Sequence, residues 1–142
     1  PYQRLVLLVQ QEVARRISAR PGQSSFSALS VRMQLLADCS SVCPVPPRCF
    51  QPPPKVQSEV ISIDPKTADQ RPPQAVAKQL ERLLRLAFGA RRKMVRNTLA
   101  SAAPAVGLEA WLGEAGITPQ QRPQEIAPQQ WVALAAALQP AL

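Results

Sequence analysis

Five of the nine residues from Pro46 to Pro54 are proline, and that run dictates what its neighbours can become. Each proline fixes φ and lacks an N–H, so neither a helix interior nor a central strand can pass through it. The run is expected to be a stiff, non-helical connection. It would join a short strand, Ser41 to Val45, to a second strand, Val56 to Ile63, which alternates apolar and polar residues as far as Val60 and so has one wetter face. One aromatic ring, Phe50, lies inside the connection.

Upstream, Arg4 to Val9 is an almost continuous apolar run, the pattern of a strand covered on both faces as in a parallel sheet. Val13 and Ile17 then stand four apart among charged neighbours, which predicts a helix over Gln11 to Ile17. Pro21-Gly22-Gln23-Ser24-Ser25 ends it in a loop. Leu29, Met33 and Leu36, broadened by Val31, Leu35 and Ala37, predict a second helix over Ala28 to Ala37. Strands and helices in this order imply an α/β unit.

Downstream the pattern changes. Asp64 to Pro73 is polar and carries Pro65, Pro72 and Pro73, which reads as a connection between two folding units. Val76, Leu80, Leu83, Leu84, Ala87 and Phe88 then form one apolar stripe, the mark of an amphipathic helix. Gly89 is expected to end it in a left-handed cap. Further helices are expected over Arg91 to Ala100, Leu108 to Ala115 and Pro128 to Leu138, the last with proline in its first turn. The expected layout is therefore 1–66, a linker 67–73, and a helical unit 74–142.

Composition narrows the chemistry. The formal charge of +8 favours a polyanionic partner, because Lys and Arg gain affinity by releasing counterions from phosphates. The chain has no histidine, which removes Ser-His-Asp and Cys-His nucleophiles and every imidazole zinc site. Cys39, Cys43 and Cys49 are an odd number with spacing unlike a zinc knuckle, and are expected to be buried free thiols rather than metal ligands. Trp111 and Trp131 fall on apolar helical positions and are expected in the core. Glu12 and Glu59 are expected as a helix residue and a solvent-facing strand residue. No stretch approaches the roughly 20 apolar residues of a membrane span, and a cytosolic protein is expected.

Two constellations remain. Phe50, braced by prolines at a strand end, presents a face on which a flipped base can stack; the alternatives are a hydrophobic plug beneath the loop, or a proline ligand for an SH3-like groove. Arg91, Arg92, Lys93, Arg96 and Asn97, with Arg82 and Arg85 nearby, are expected on helices. There Arg92 and Arg96 would share a face suited to RNA phosphates; the alternative is a solvated charged helix.

Four blocks in order carry a resemblance: Leu8-Val9-Gln10-Gln11-Glu12-Val13-Ala14-Arg15-Arg16, Ala28-Leu29-Ser30-Val31, the stretch from Val45 to Ser58, and Ala87-Phe88-Gly89-Ala90-Arg91-Arg92-Lys93-Met94-Val95-Arg96-Asn97-Thr98-Leu99. The chain resembles the KsgA-type ribosomal RNA small-subunit adenine dimethyltransferases along essentially its whole length. The resemblance implies the C-terminal part of a Rossmann-like S-adenosylmethionine methyltransferase domain followed by a small all-α domain. It implies that an adenine is flipped from RNA, that its N6 takes two methyl groups, and that Phe50 is a stacking wall positioned by Pro52, Pro53, Pro54 and Lys55. Arg91, Arg92, Lys93, Arg96 and Asn97 would bind RNA.

The family's glycine-rich cofactor loop, its ribose-binding acid and its Asn-Leu-Pro-Tyr motif are not among these 142 residues, and Gln57 stands where the family commonly has aspartate. The expectation is a C-terminal half, inactive alone and without tight S-adenosylmethionine binding, although the intact enzyme uses that cofactor. Its expected partner is small-subunit ribosomal RNA or the small ribosomal subunit, with no membrane or metal and with the protein a monomer. The alternative is a stand-alone RNA-binding or ribosome-assembly module. The first strand is expected to leave an apolar face uncovered, and the helical part from Gln74 to fold more readily alone.

Overall fold

A computed structural model describes residues 3–52 and 55–138. Pro53 and Pro54, two of the residues expected to position Phe50, lie outside the described residues. Three strands form one sheet in the order β1-β3-β2: β1 is Leu5–Gln10, β2 Ala37–Val45 and β3 Ser58–Pro65. The central strand β3 runs antiparallel to both neighbours, with Leu5 opposite Ile63 and Gln10 opposite Ser58 on one side, and Ala37 opposite Pro65 and Val45 opposite Ser58 on the other. β1 and β2 are consequently parallel to each other but separated by β3.

The apolar run of β1 is covered on one face and, as expected for this chain, leaves an apolar face uncovered. Leu5 and Val9 pack inward, while Val6 and Leu8 are 57% and 50% exposed. Among the described residues β1 is an edge strand of the sheet.

Two helices, α1 (Gln11–Ser18) and α2 (Ala28–Leu36), cover the inner face of the sheet. Ala14 and Ile17 of α1 bury against Ile61, Ile63 and Ala37, with Leu29 and Met33 of α2 alongside. The second strand begins four residues before its expected start at Ser41, because the chain turns fully extended at Ala37 and pairs there with Pro65. Lys66 holds that end: its backbone N–H donates to the Leu36 carbonyl at 2.9 Å and its ammonium to the Gln34 carbonyl at 2.7 Å. A bulge at Val42 shifts the register between Ser41 and Cys43. Pro44 is tolerated because β2 is an edge.

The helical side comprises α3 (Gln74–Phe88), α4 (Val95–Thr98), α5 (Leu108–Glu114) and α6 (Pro128–Ala136). Its core holds Leu80, Leu83, Leu84, Leu99, Leu112, Trp111 and Trp131, all buried. Both tryptophans are core anchors as expected; Trp111 donates from Nε1 to the Leu134 carbonyl at 3.0 Å. Phe88 meets the Trp131 ring at 5.8 Å between centroids, within the range of favourable tilted aromatic pairs.

Phe26, Val31 and Leu35 belong to this same helical core. α2 is therefore shared: Leu29 and Met33 face the sheet, Val31 and Leu35 face the helices, which explains a helix apolar on more than one side. Arg32 reinforces the junction by donating to Glu81 of α3 at 2.6 Å. A helical piece beginning at Gln74 would leave part of its own core behind, against the expectation that it folds more readily alone.

Two local expectations also change. Gly89 caps α3 in a right-handed conformation, φ −67°, so left-handed freedom is not its role. A Cβ there would stand 2.8 Å from the Arg85 carbonyl oxygen, and glycine is the residue that permits that approach. The helix expected over Arg91 to Ala100 is reduced to α4, preceded by a turn. Met94 is extended, and the first N–H groups of α4 are drawn into tertiary bonds, Val95 to the Gln121 carbonyl at 2.8 Å and Arg96 to that of Pro119 at 3.2 Å.

Candidate nucleic-acid interface

The proline connection leaves the sheet where Val45, Ser58 and Gln10 lie side by side, so it sits at the carboxyl ends of β1 and β2. In open α/β sheets this is the end where ligands bind. Contrary to the expectation of a wholly non-helical loop, residues Pro47–Cys49 make one 3-10 turn. It is closed by the Cys49 N–H on the Pro46 carbonyl at 3.0 Å and the Phe50 N–H on the Pro47 carbonyl at 3.1 Å. The Gln51–Pro52 peptide is cis. The returning chain is fixed where the Gln11 N–H donates to the Gln57 carbonyl at 2.9 Å, which ties the start of α1 to the start of β3.

Phe50 is half-buried and, among the described residues, belongs to neither hydrophobic cluster. Its ring is not part of either core, and its backbone is fixed by the 3-10 turn before it. Pro52 and Lys55 on the same loop are exposed.

The basic residues divide by what they do. Arg91 lies in the turn after α3, and its guanidinium donates to the carbonyls of Ser24 at 2.8 Å and Phe26 at 3.0 Å. It latches the 20–26 loop onto the helical side. Arg92, Lys93, Arg96 and Asn97 are exposed. The Arg92 carbonyl accepts from Arg122 Nε at 2.8 Å, which holds the turn in place. Arg92 and Arg96 do not share one helix, so the one-turn spacing expected of them does not apply: Arg92 lies in the turn and Arg96 in α4. Among the described residues the ion pairs are Arg4–Asp64, Glu12–Arg16 and Arg32–Glu81, and none involves these cations.

Sequence reasoning missed a second basic feature. Glu12, Arg15, Arg16, Ser24, Ser25 and Arg91 line a cleft of about 350 Å³. A neighbouring one of about 570 Å³ shares Arg15, Ser24 and Ser25 and adds Arg20 and Gln23. The available signal was Arg15, Arg16 and Arg20 within six residues, but the loop that forms the other wall is held by partners distant in sequence, Arg91 and Gln124. Arginines and serines suit an anion and oppose the sulfonium cation of S-adenosylmethionine, so these residues do not fit that cofactor.

Cys39 is half-buried, and Cys43 and Cys49 are exposed, which corrects the expectation of buried thiols. Burial, then the carboxylates of Asp38 and Asp64, push the Cys39 thiol up; Lys66 opposes them. Glu59 accepts from the Ser41 hydroxyl at 2.9 Å. No helix among the described residues is long and apolar enough to cross a membrane.

The fold is that of the Rossmann-like methyltransferases. It matches the crystal structure of a dimethyladenosine transferase from Plasmodium falciparum with a TM-score of 0.77 at 22% identity, covering 94% of this chain and 56% of that one. It matches the crystal structure of the 23S rRNA methyltransferase ErmE with a TM-score of 0.67 at 26% identity, covering 96% and 55%. The chain belongs to the ribosomal RNA adenine dimethylase family, whose model matches residues 1–139. Among its relatives, ribosomal RNA small subunit methyltransferase A of Synechococcus sp. (strain RCC307) is 90% identical over all of this chain and 52% of that protein. The same-named protein of Parasynechococcus marenigrum (strain WH8102) is 71% identical over 97% of this chain and 46% of its own length. The chain spans about half the length of the curated relatives it matches; these shares give the extent of the match, and the narrower expectation of a C-terminal half gains no support from them.

Proposed function

We propose that this chain forms the RNA-facing part of an enzyme that dimethylates adenine N6 in small-subunit ribosomal RNA, working in the cytoplasm on the small ribosomal subunit. The observation that carries the reading is the placement of Phe50: a half-buried residue outside both cores, on the loop at the carboxyl ends of β1 and β2.

An adenine taken out of its helix loses stacking on its neighbours, and an aromatic face offered at a fixed position replaces part of it. Phe50 is that face, with Pro52, Pro53, Pro54 and Lys55 setting its position. The gain is one of orientation: holding the base with its N6 amine directed at the methyl donor turns a bimolecular encounter into a positioned one. No side chain here has to act as a covalent nucleophile, which agrees with a chain lacking histidine. Arg92, Lys93, Arg96 and Asn97 hold the RNA backbone, while Arg91 keeps their turn docked on the 20–26 loop.

The proposed layout keeps 1–66 as the part presenting Phe50, 67–73 as the connection and 74–142 as the backbone-binding part. The methyl donor, S-adenosylmethionine, is held elsewhere in the intact enzyme, and these 142 residues alone transfer no methyl group. Family membership favours this reading over a stand-alone assembly module.

The test uses RNA carrying 2-aminopurine at the target position. Binding to the wild-type chain should change its fluorescence as the base stacks on Phe50. Phe50→Ala should abolish that change and weaken binding roughly 5- to 150-fold, the loss of about 1–3 kcal/mol of stacking per base, and Phe50→Trp should restore both. An unaltered signal in Phe50→Ala would refute the assignment.

A further inference from the structure

The cleft between α1 and the 20–26 loop is lined neither by the Phe50 loop nor by the exposed Arg92, Lys93, Arg96 and Asn97. Its four arginines are not equivalent. Arg16 is neutralised by Glu12 at 2.6 Å, and Arg91 is committed to two backbone carbonyls. Among the described residues, the guanidiniums of Arg15 and Arg20 have neither an ion-pair partner nor a side-chain hydrogen bond, and both are exposed at the rim.

The walls are pinned. Arg91 holds Ser24 and Phe26, the Gly22 N–H donates to the Gln124 carbonyl at 2.7 Å, and the Gln23 side chain accepts from the Arg20 N–H at 2.8 Å. Gly22 adopts φ +94° there, a conformation suited to glycine.

The end of α1 is prepared in a second way. A helix C-terminus normally presents carbonyl oxygens, which repel an anion. Here the Ala14 carbonyl accepts from the Ser18 hydroxyl at 2.9 Å and the Arg16 carbonyl from the Ser30 hydroxyl. The Ile17 and Ala19 carbonyls accept from the Gln34 amide at 3.0 and 2.7 Å. These oxygens are turned into internal bonds, and the one lining carboxylate, Glu12, is paired with Arg16, which leaves Arg15, Arg20 and the Ser24 and Ser25 side chains to set the character of the cleft.

We infer that this cleft is a second RNA-backbone contact, in which Arg15 and Arg20 bind phosphodiester oxygens. A guanidinium offers paired donors matched to phosphate, and a rigid concave wall reduces the ordering cost that a solvated charged face would incur. The inference rests on the reading of the chain as part of an RNA-modifying enzyme, and it adds to that reading a track for RNA flanking the target base.

The experiment measures binding of the full chain to a fluorescein-labelled single-stranded RNA by anisotropy over a series of salt concentrations. Each lost phosphate contact should lower the magnitude of the log–log salt slope by about 0.7, so Arg15→Ala/Arg20→Ala should lower it by about 1.4. At 0.1 M salt the affinity should fall roughly 25-fold. Arg4→Ala/Lys78→Ala removes the same charge outside the cleft and should keep the wild-type slope. Should the alanine pair fail to fold, Arg15→Gln/Arg20→Gln carries the same expectation. An unchanged slope in the cleft variant, or an equal loss in the control, would overturn the cleft while leaving the proposed function standing. Absence of salt-dependent RNA binding by the wild type would overturn both.

Discussion

Replacing Phe26 with alanine tests whether the segment before α2 supports the helical core. Phe26 is fully buried and belongs to the cluster that contains Leu83, Leu84, Trp111 and Trp131, although it precedes α3 by nearly 50 residues in the chain. Removing a buried phenyl ring forfeits its transfer free energy and leaves a cavity; together these cost about 3–5 kcal/mol. Of a typical total of about 5–15 kcal/mol, that is a large share. At about 4 kcal/mol the folding equilibrium shifts roughly a thousand-fold, and Tm falls by roughly 10–15 °C for a chain of this size. Tryptophan fluorescence during urea unfolding is the assay, because both indoles lie on the helical side. The midpoint should move to lower urea with little change in m, since the surface exposed on unfolding is nearly the same. Phe26→Leu should lose far less. A midpoint shift worth under about 1 kcal/mol in Phe26→Ala would show that the ring does not support the helical core.

With a maleimide followed by mass spectrometry, Cys43 and Cys49 should be modified before Cys39, because they are exposed whereas Cys39 is half-buried with its thiol pushed up by burial. The raised value leaves less thiolate at any given pH. By linkage the neutral Cys39 favours the fold below the ordinary thiol range, and that contribution is lost as pH rises through its folded value; equal labelling rates would refute the placement. Val6→Lys/Leu8→Lys places charges on the uncovered face of the edge strand β1. It should reduce light scattering on concentration while changing stability by less than about 1 kcal/mol, as charged edges discourage strand pairing; unfolding of the variant would mean that this face is packed.

The elements most legible in the sequence were those whose side chains record one environment. The stripe from Val76 to Phe88 gave α3 because each of its buried residues faces a single core. Pro128 marked the first turn of α6 for an equally local reason. Legibility failed where backbone groups answer to distant partners. Arg91 to Lys93 carry helix-forming residues, yet α4 starts only at Val95 because Gln121 and Pro119 take its leading N–H groups. Ala37 continues a helical pattern, yet it becomes strand because Pro65 lies opposite it.

For the site the division is similar. The sequence alone determined that a lone aromatic ring would sit in a stiff loop between two strands, because proline restricts the backbone wherever it occurs. It also determined that the chain would carry an excess of unpaired cations, because charge is counted without coordinates. Only the tertiary structure decided which cations are available: Arg91 is held by the carbonyls of Ser24 and Phe26, Arg16 by Glu12, and Arg15 and Arg20 are left at the rim of a cleft. A hydrogen bond between residues 65 apart in sequence leaves no periodic trace, since its geometry is set by the packing of two cores rather than by the spacing of neighbours.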